Sequence, residues 1–349
     1  MSSESQIPIA AKVASRRFAR SLAAFYATLF GMTGVHLPFF TVWLKAIGID
    51  ATWIGIITAV PAVTRFTLLP LVTAAAERRQ MLRGVTRYGL SYGPLRLWGS
   101  TAFVACALAS GLLLGYVAEV HLIWIITAMT VVTAMVALTL RPLDRPAAVT
   151  APTAGARKLL RDPGFLAIIV SSALIQSSHS AYYVFASIAW RQAGFSGLTI
   201  AGLWVIGVLA EIVLFALSPR FTLPSATLVV IAGASAVARW TITAQDPPLA
   251  ILAVVQLAHG LTFGLTQVGI MGLMVHHVPS HVMARGQGYL TACGGIVAST
   301  ASILSGMVYA RYGLGVYDMM AAMGAAGGLV MWLSRRRFAH HPQSAASGG

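Results

Sequence analysis

The amino-acid sequence predicts an all-α protein that crosses a membrane many times. Three observations carry that expectation: the composition, a series of about twenty-residue apolar runs, and the side on which positive charge collects. Of the 349 residues, 57% are hydrophobic and only 9% are charged, with a mean hydropathy of +0.78. A soluble domain of this length cannot cover so much apolar surface with so few charges. The net charge of +15 invites a nucleic-acid reading, but the placement of the charges excludes it. Lys12, Arg16, Arg17 and Arg20 precede the first run, and Arg78, Arg79, Arg83, Arg87 and Arg96 follow the second. Arg141, Arg145, Arg157, Lys158 and Arg161 fill a central loop, and Arg335, Arg336 and Arg337 close the last run. With the N-terminus inside, these residues, Arg220 and Arg285 all fall on one side, and only Lys45, Arg191 and Arg311 on the other. That is the positive-inside bias of a plasma-membrane protein, an inner-membrane one, with both termini in the cytoplasm. The same clusters lie where anionic lipid headgroups lie.

In order, the chain begins with a basic tail, residues 1–17. The first run is 18–44, with Tyr26, Thr33 and His36 inside it and Pro38 near its outer end as a potential kink. It is too long, and lacks the small-residue cleavage site, to be a leader peptide. The second run, 53–75, contains Arg65 near its middle. The basic stretch 77–97 that follows holds no apolar segment able to span. Runs at 98–117 and 122–140 complete a first bundle, 18–140, of four spans. A Pro-, Ala- and Arg-rich loop, 141–164, separates it from a second bundle, 165–333, of six: 165–189, 200–218, 226–243, 249–275, 287–309 and 315–333. The tail 334–349 is small and polar beyond its arginines. An internal repeat relates the halves. WLKAIGIDATWIG from Trp43 and WRQAGFSGLTIAG from Trp190 pair Trp43 with Trp190, Ala46 with Ala193 and Gly55 with Gly202, each joining the first span of its half to the second.

Function is sought where polar groups stand in apolar runs. Ser172, Gln176, His179 and Tyr183 fall at i, i+4, i+7 and i+11, one face of a helix. Glu211 sits a little past the middle of its run, where a charge costs ~2.5–3.5 kcal/mol even on the lenient insertion scale. Intramembrane carboxylates normally face a wet cavity or a partner, so Glu211, with His179, is the proton-coupling candidate, the other reading being a structural ion pair. Arg65 is the candidate for a substrate carboxylate or for pairing with Glu211. Arg239 is closer to the end of its run and reads as structural. Gln256, His259, Phe263 and Gln267 make a second polar-aromatic stripe, and Tyr183 and Trp204 add aromatic surface, although each of these packs equally well between helices. Substrate-binding candidates are therefore Arg65, Gln176, Tyr183, Trp204, His259, Phe263 and Gln267. Cys106 and Cys293 read as packing residues. His276, His277 and His281 have a spacing that could hold a metal, but with no acidic or thiol partner in the sequence around them a solvated loop is expected. No phosphate loop, metal cluster or nucleophile–base motif is present, so no enzyme, cofactor or nucleic-acid partner is expected.

The segments HLPFFTVWLKAIGI, YGPLRLWGSTAFV, QSSHSAYYVFASIAW, GVLAEIVLFALS and VQLAHGLTFG together resemble the phenylpropionic-acid permease group of the major facilitator superfamily, from about Phe25 to Leu333. The resemblance implies twelve helices in two bundles of six, and uptake of small organic solutes, aromatic acids among them, with protons. Arg65, Arg96, His179, Glu211 and His259 stand in the matching segments. One departure is large. The family has two further spans, its third and fourth, where this chain has ERRQMLRGVTRYGLSYGPLRLWGS, and the loop after the second span is reduced to AAAERRQ. The fourth helix lines the cavity in that family, so one wall is expected to be lost or supplied by lipid, by a rearranged helix or by self-association. Ten helices, the major facilitator fold with a shortened first half, and secondary transport of a small-molecule substrate with protons form the leading expectation. A sugar or nucleoside permease, or a truncated chain that no longer transports, are the alternatives.

Overall fold

In the computed structural model the described residues are 9–61, 92–139 and 156–338; Arg65, the stretch 77–91 and most of the central loop lie outside them. All regular structure among the described residues is helical. The helices are α1 (Ile9–Ala46), α2 (Ala51–Pro61), α3 (Tyr92–Leu113), α4 (Leu122–Thr139), α5 (Pro163–Ser177), α6 (Ser180–Gln192) and α7 (Gly197–Leu217). They continue with α8 (Ser225–Ala244), α9 (Leu249–His259), a π turn over Gly260–Gly264, α10 (Leu265–His277), α11 (Met283–Tyr312) and α12 (Val316–Ser334). Among the described residues seven segments are long and apolar enough to cross a bilayer, the last of them holding both α11 and α12, and two shorter apolar helices cover 51–61 and 98–113. Every apolar run predicted from the sequence thus meets a helix, and the chain is a multi-pass membrane protein. Lipid offers no hydrogen bonds, so each run must satisfy its own backbone as helix. α1 continues through Pro38 without interruption.

Helix ends follow from a few residues. α1 and α6 each stop before a glycine in the left-handed region, Gly48 at φ +89° and Gly194 at φ +86°. Two residues on, Asp50 Oδ1 accepts from Trp53 N–H at 3.0 Å, and Ser196 Oγ accepts from Thr199 N–H at 3.1 Å. These matched caps repeat the same turn in both halves, one residue shorter in interval than the Trp43–Trp190 match. Asp162 starts α5: its Oδ1 accepts from Gly164 N–H at 2.7 Å and Phe165 N–H at 3.2 Å, and its Oδ2 accepts from His277 Nε2 at 3.1 Å. His277 therefore has the acidic partner that its sequence neighbours lack. No group of metal-ligating residues forms among the described residues.

The chain falls into two compact units. One holds residues 1–48, 71–148 and 190–205. In it α3 meets the start of α7 at Gly111, where an added Cβ would lie 2.5 Å from Gly197 O and 2.7 Å from Ala201 Cβ. The other holds 49–70, 149–189 and 206–349. In it α2 meets α11 at Gly55, whose Cβ would lie 2.6 Å from Ser302 O and 2.8 Å from Gly306 Cα. α8 meets α12 through Gly233, with Gly328 Cα 2.7 Å from the corresponding Cβ position. Helices in lipid gain little from hydrophobicity against one another, so close backbone approach over small residues is what holds them. Phe165, Ile168, Val229, Ile270, Met274 and Met331 fill the core of the second unit.

Two measurements follow. Gly111→Leu should destabilise the protein by about 1–3 kcal/mol through overpacking, whereas Gly202→Leu, on a glycine with nothing within 4 Å of its Cβ position, should not; thermal unfolding in detergent reads both. Burial by itself would raise the Asp162 carboxyl, but the Phe165 N–H, the His277 ring and the Gly164 N–H outweigh it and hold it below the usual carboxylate range. A carboxyl lowered on folding contributes stability above its unfolded pKa and loses it as pH falls through the folded one. The melting-temperature gap between wild type and Asp162→Asn should therefore be full near neutrality and close on acidification below about pH 4.

Candidate functional site

The second unit carries a buried polar network built from α5, α6, α8 and α9 and two helix interruptions, with α7 beside it. The first interruption separates α5 from α6. Ser178 and His179 leave the α pattern, with His179 N–H reaching back to Gln176 O at 3.3 Å. The second is the π turn, in which Leu265 N–H reaches Gly260 O, one residue further back than in an α-helix. Such turns are rare and concentrate at functional sites. Gly260 permits it to lie against α7, since a Cβ there would sit 2.8 Å from Ala210 O. The carbonyl of Thr262 within the turn accepts from Thr266 Oγ1 at 2.6 Å.

Arg239 of α8 is the centre. It is 2% exposed. Its Nη1 donates to His259 Nδ1 and to Thr262 Oγ1, both at 3.0 Å, and its Nη2 donates to Gln256 Oε1 at 3.1 Å. The guanidinium carbon lies 4.8 Å from the Tyr182 ring centroid and 4.4 Å from that of Trp240, so both rings present electron-rich faces to the charge. Trp240 is itself held by a bond from its indole N–H to Ser178 Oγ at 3.0 Å. Among the described residues no carboxylate forms an ion pair with Arg239. Arg239 Nε and Gln176 Oε1 are buried without a hydrogen-bond partner, one donor and one acceptor left over. Arg239 was expected to be structural and near a helix end; it is buried, and its guanidinium makes three hydrogen bonds within this network.

The two histidines flank this charge. His179 is fully buried, its Nδ1 3.1 Å from Gln176 O and its Nε2 3.0 Å from Thr262 Oγ1. His259 accepts at Nδ1 from the guanidinium, which leaves its proton on Nε2, 3.8 Å from Glu211 Oε2. Glu211 on α7 lies beside the π turn and keeps 19% of its side chain exposed. Phe263 stacks on His259 with centroids 5.4 Å apart, and Tyr183 stacks on His179 at 5.9 Å.

Of the residues singled out in the sequence, Gln176, His179, Tyr183, Glu211, His259 and Phe263 therefore meet in one place. Gln267 is half-buried one turn beyond and takes no part in these hydrogen bonds. Trp204 is buried in the other unit, and Arg65 lies outside the described residues. Sequence reasoning passed over Thr262, Trp240 and Ser178, and did not foresee the hydrogen bonds of Arg239. Gln256 at three residues before His259 was the available signal that a donor needed acceptors on that helix.

Comparison with known proteins fits this architecture. The MFS_1 like family model matches residues 19–91 and 80–317. A probable 3-phenylpropionic acid transporter of Escherichia coli is 28% identical over 366 residues, covering 86% of this chain and 94% of that protein. The maltose permease of Geobacillus stearothermophilus is 26% identical over 290 residues, covering 81% of this chain and 71% of that one. Among solved structures, a bacterial homologue of the human lysosomal transporter Spinster, inward-facing and unoccupied, superposes with a TM-score of 0.63 at 12% identity, over 95% of this chain and 99% of that one. The nucleoside transporter NupG superposes with a TM-score of 0.56 at 15% identity, over 93% and 91%. These last two likenesses show a shared fold alone. The fold is the major facilitator fold. By the family match, which takes in most of its length, the chain belongs to the MFS_1 like family of major facilitator transporters, which are not enzymes.

Proposed function

We propose that the chain is a secondary active transporter of the inner membrane that takes up a small aromatic acid together with protons, both termini lying in the cytoplasm. One observation carries the reading: Arg239 is buried among neutral acceptors and aromatic faces, and among the described residues no carboxylate stands against it. A buried cation is costly unless paired, and a substrate carboxylate would supply the missing charge while its ring meets Tyr183 and Phe263. Gln176, His259 and the spare Nε of Arg239 give that carboxylate further polar company, with Gln267 a candidate contact one turn beyond. Glu211, partly exposed and facing the Nε2 proton of His259, is the group that takes and releases the transported proton, and His179 holds the far end of the same chain. A neutral sugar, of the kind the maltose permease relative is named for, would leave the Arg239 charge unanswered.

The same proposal divides the chain into a bundle at 18–140, a loop at 141–164 and a bundle at 165–333, with tails at 1–17 and 334–349. Helix pairing supports two spans having been lost from the first bundle. α2 and α7 are the second helices of their halves; α2 lies on α11, the fifth of the second half, and α7 lies on α3. Equivalence of the halves then makes α3 the fifth helix of the first, with the third and fourth missing before it. Among the described residues α4, as the sixth, has no counterpart of the neighbour that α8 provides for α12. It buries Leu122, Ile126 and Thr133, where α12 buries a whole face including Tyr317, Met320, Gly324 and Gly328. Lipid or a second copy of the chain covers the bare face.

The test is uptake of 3-phenylpropionate by energised membrane vesicles. Wild type should accumulate it only with an inward proton gradient, Glu211→Gln should lose accumulation but keep exchange, and Arg239→Lys should lower apparent affinity about tenfold or more because it keeps the charge and loses the forked donor set. Accumulation independent of the gradient, or unchanged in both variants, contradicts the reading.

A further inference from the structure

We infer that Thr262 is a positioning residue that couples the Arg239 guanidinium to His179 at the break between α5 and α6, so that any movement of Arg239 is felt by the His179 ring. The inference deepens the proposal that Arg239 receives the substrate anion, and it stands on the hydrogen-bond geometry. Thr262 Oγ1 has one proton to give. Arg239 Nη1 can only donate, so at 3.0 Å the hydroxyl accepts from it. The hydroxyl proton then goes to His179 Nε2 at 3.0 Å in preference to the His259 carbonyl at 3.4 Å. The Gln176 carbonyl can only accept, which places the His179 ring proton on Nδ1 and leaves Nε2 as the lone pair that the threonine meets. The direction of every bond is thereby fixed, from guanidinium to hydroxyl to imidazole to the carbonyl of Gln176.

The backbone on both sides is the irregular part of each helix. Thr262 stands in the π turn and is fully buried, and its own carbonyl is held by Thr266. His179 stands where the α pattern between α5 and α6 lapses. A hydroxyl that bridges a fixed charge to a helix break can transmit a sideways pull without new contacts being made. Removing it leaves a buried N–H and a buried ring nitrogen both unanswered, whereas a serine preserves the link.

The experiment uses nitrogen-15 histidine labelling of the full-length protein in detergent, with the His179 signals identified by their absence in His179→Gln. Arg239→Lys should shift the His179 Nε2 resonance in wild type and in Thr262→Ser, and most of that shift should be lost in Thr262→Val, which keeps the side-chain shape without the hydroxyl. Thr262→Ala is a second hydroxyl-free background. A shift equally large in the hydroxyl-free backgrounds overturns the inference, as does Thr262→Ser behaving like Thr262→Val. If neither hydroxyl-free variant folds, the wild-type background decides: an Nε2 resonance unmoved by Arg239→Lys overturns the inference, and a moved one supports it. Adding 3-phenylpropionate to wild type separates the two ideas. If the acid does not bind, the substrate reading fails while the Arg239–Thr262–His179 coupling is still decided by the variants.

Discussion

A single buried guanidinium organises the polar interior of the second unit. Arg239 cannot lose its proton in water-like conditions and cannot reach lipid or solvent from where it sits, so its surroundings must answer the charge. They do so with neutral acceptors, Gln256, His259 and Thr262, and with the faces of Tyr182 and Trp240. Most of the other features of the network follow. His259 must present a lone pair to Arg239, so its proton points to Glu211. Thr262 must accept, so its own proton turns to His179. Ser178 holds Trp240 in place over the charge. The two helix interruptions bring these groups together, and Gly260 lets the π turn approach α7 closely enough for Glu211 to stand beside it.

Against this background the proposed transport cycle needs few parts. A cation answered, among the described residues, by neutral groups favours an arriving anion without requiring one, which suits a site that must load and unload. Among the described residues Glu211 is the one carboxylate in contact with the network, and it reaches His259 at 3.8 Å, longer than a hydrogen bond. Protonation of Glu211 would withdraw negative charge from the side of His259 that faces away from Arg239, and so strengthen the pull of the guanidinium on a substrate carboxylate.

The spans were legible because hydropathy and the lipid constraint act along the sequence: α7 and α9 with its π turn and α10 could be placed from composition alone. The polar faces were half legible. Gln176, His179 and Tyr183 stand on one face by helical spacing, and His259 and Phe263 on another, but nothing in that spacing signals that α5 and α6 are separate helices or that Gly260–Gly264 is a π turn, since both depend on tertiary contacts. The burial of Arg239 was not legible for a related reason. Its distance along the chain from the end of α8 suggested an interfacial position, while its burial is set by α12, α9 and the α5–α6 break around it. His277 looked like a loop histidine because Asp162 is 115 residues away in the chain. Trp204, on the same apolar run as Glu211, is assigned to the other unit, a division that no local pattern reveals.

The most direct measurement is the binding of 3-phenylpropionate and of its uncharged amide to the purified protein, read by ligand-induced thermal stabilisation. The two molecules share a ring and a chain and differ in charge. If Arg239 is held for an anion, the acid should bind and the amide should bind at least about tenfold more weakly, as expected for the loss of a charge-assisted hydrogen bond worth about 1.5–3 kcal/mol. Equal stabilisation by acid and amide would mean that the buried guanidinium serves the fold alone.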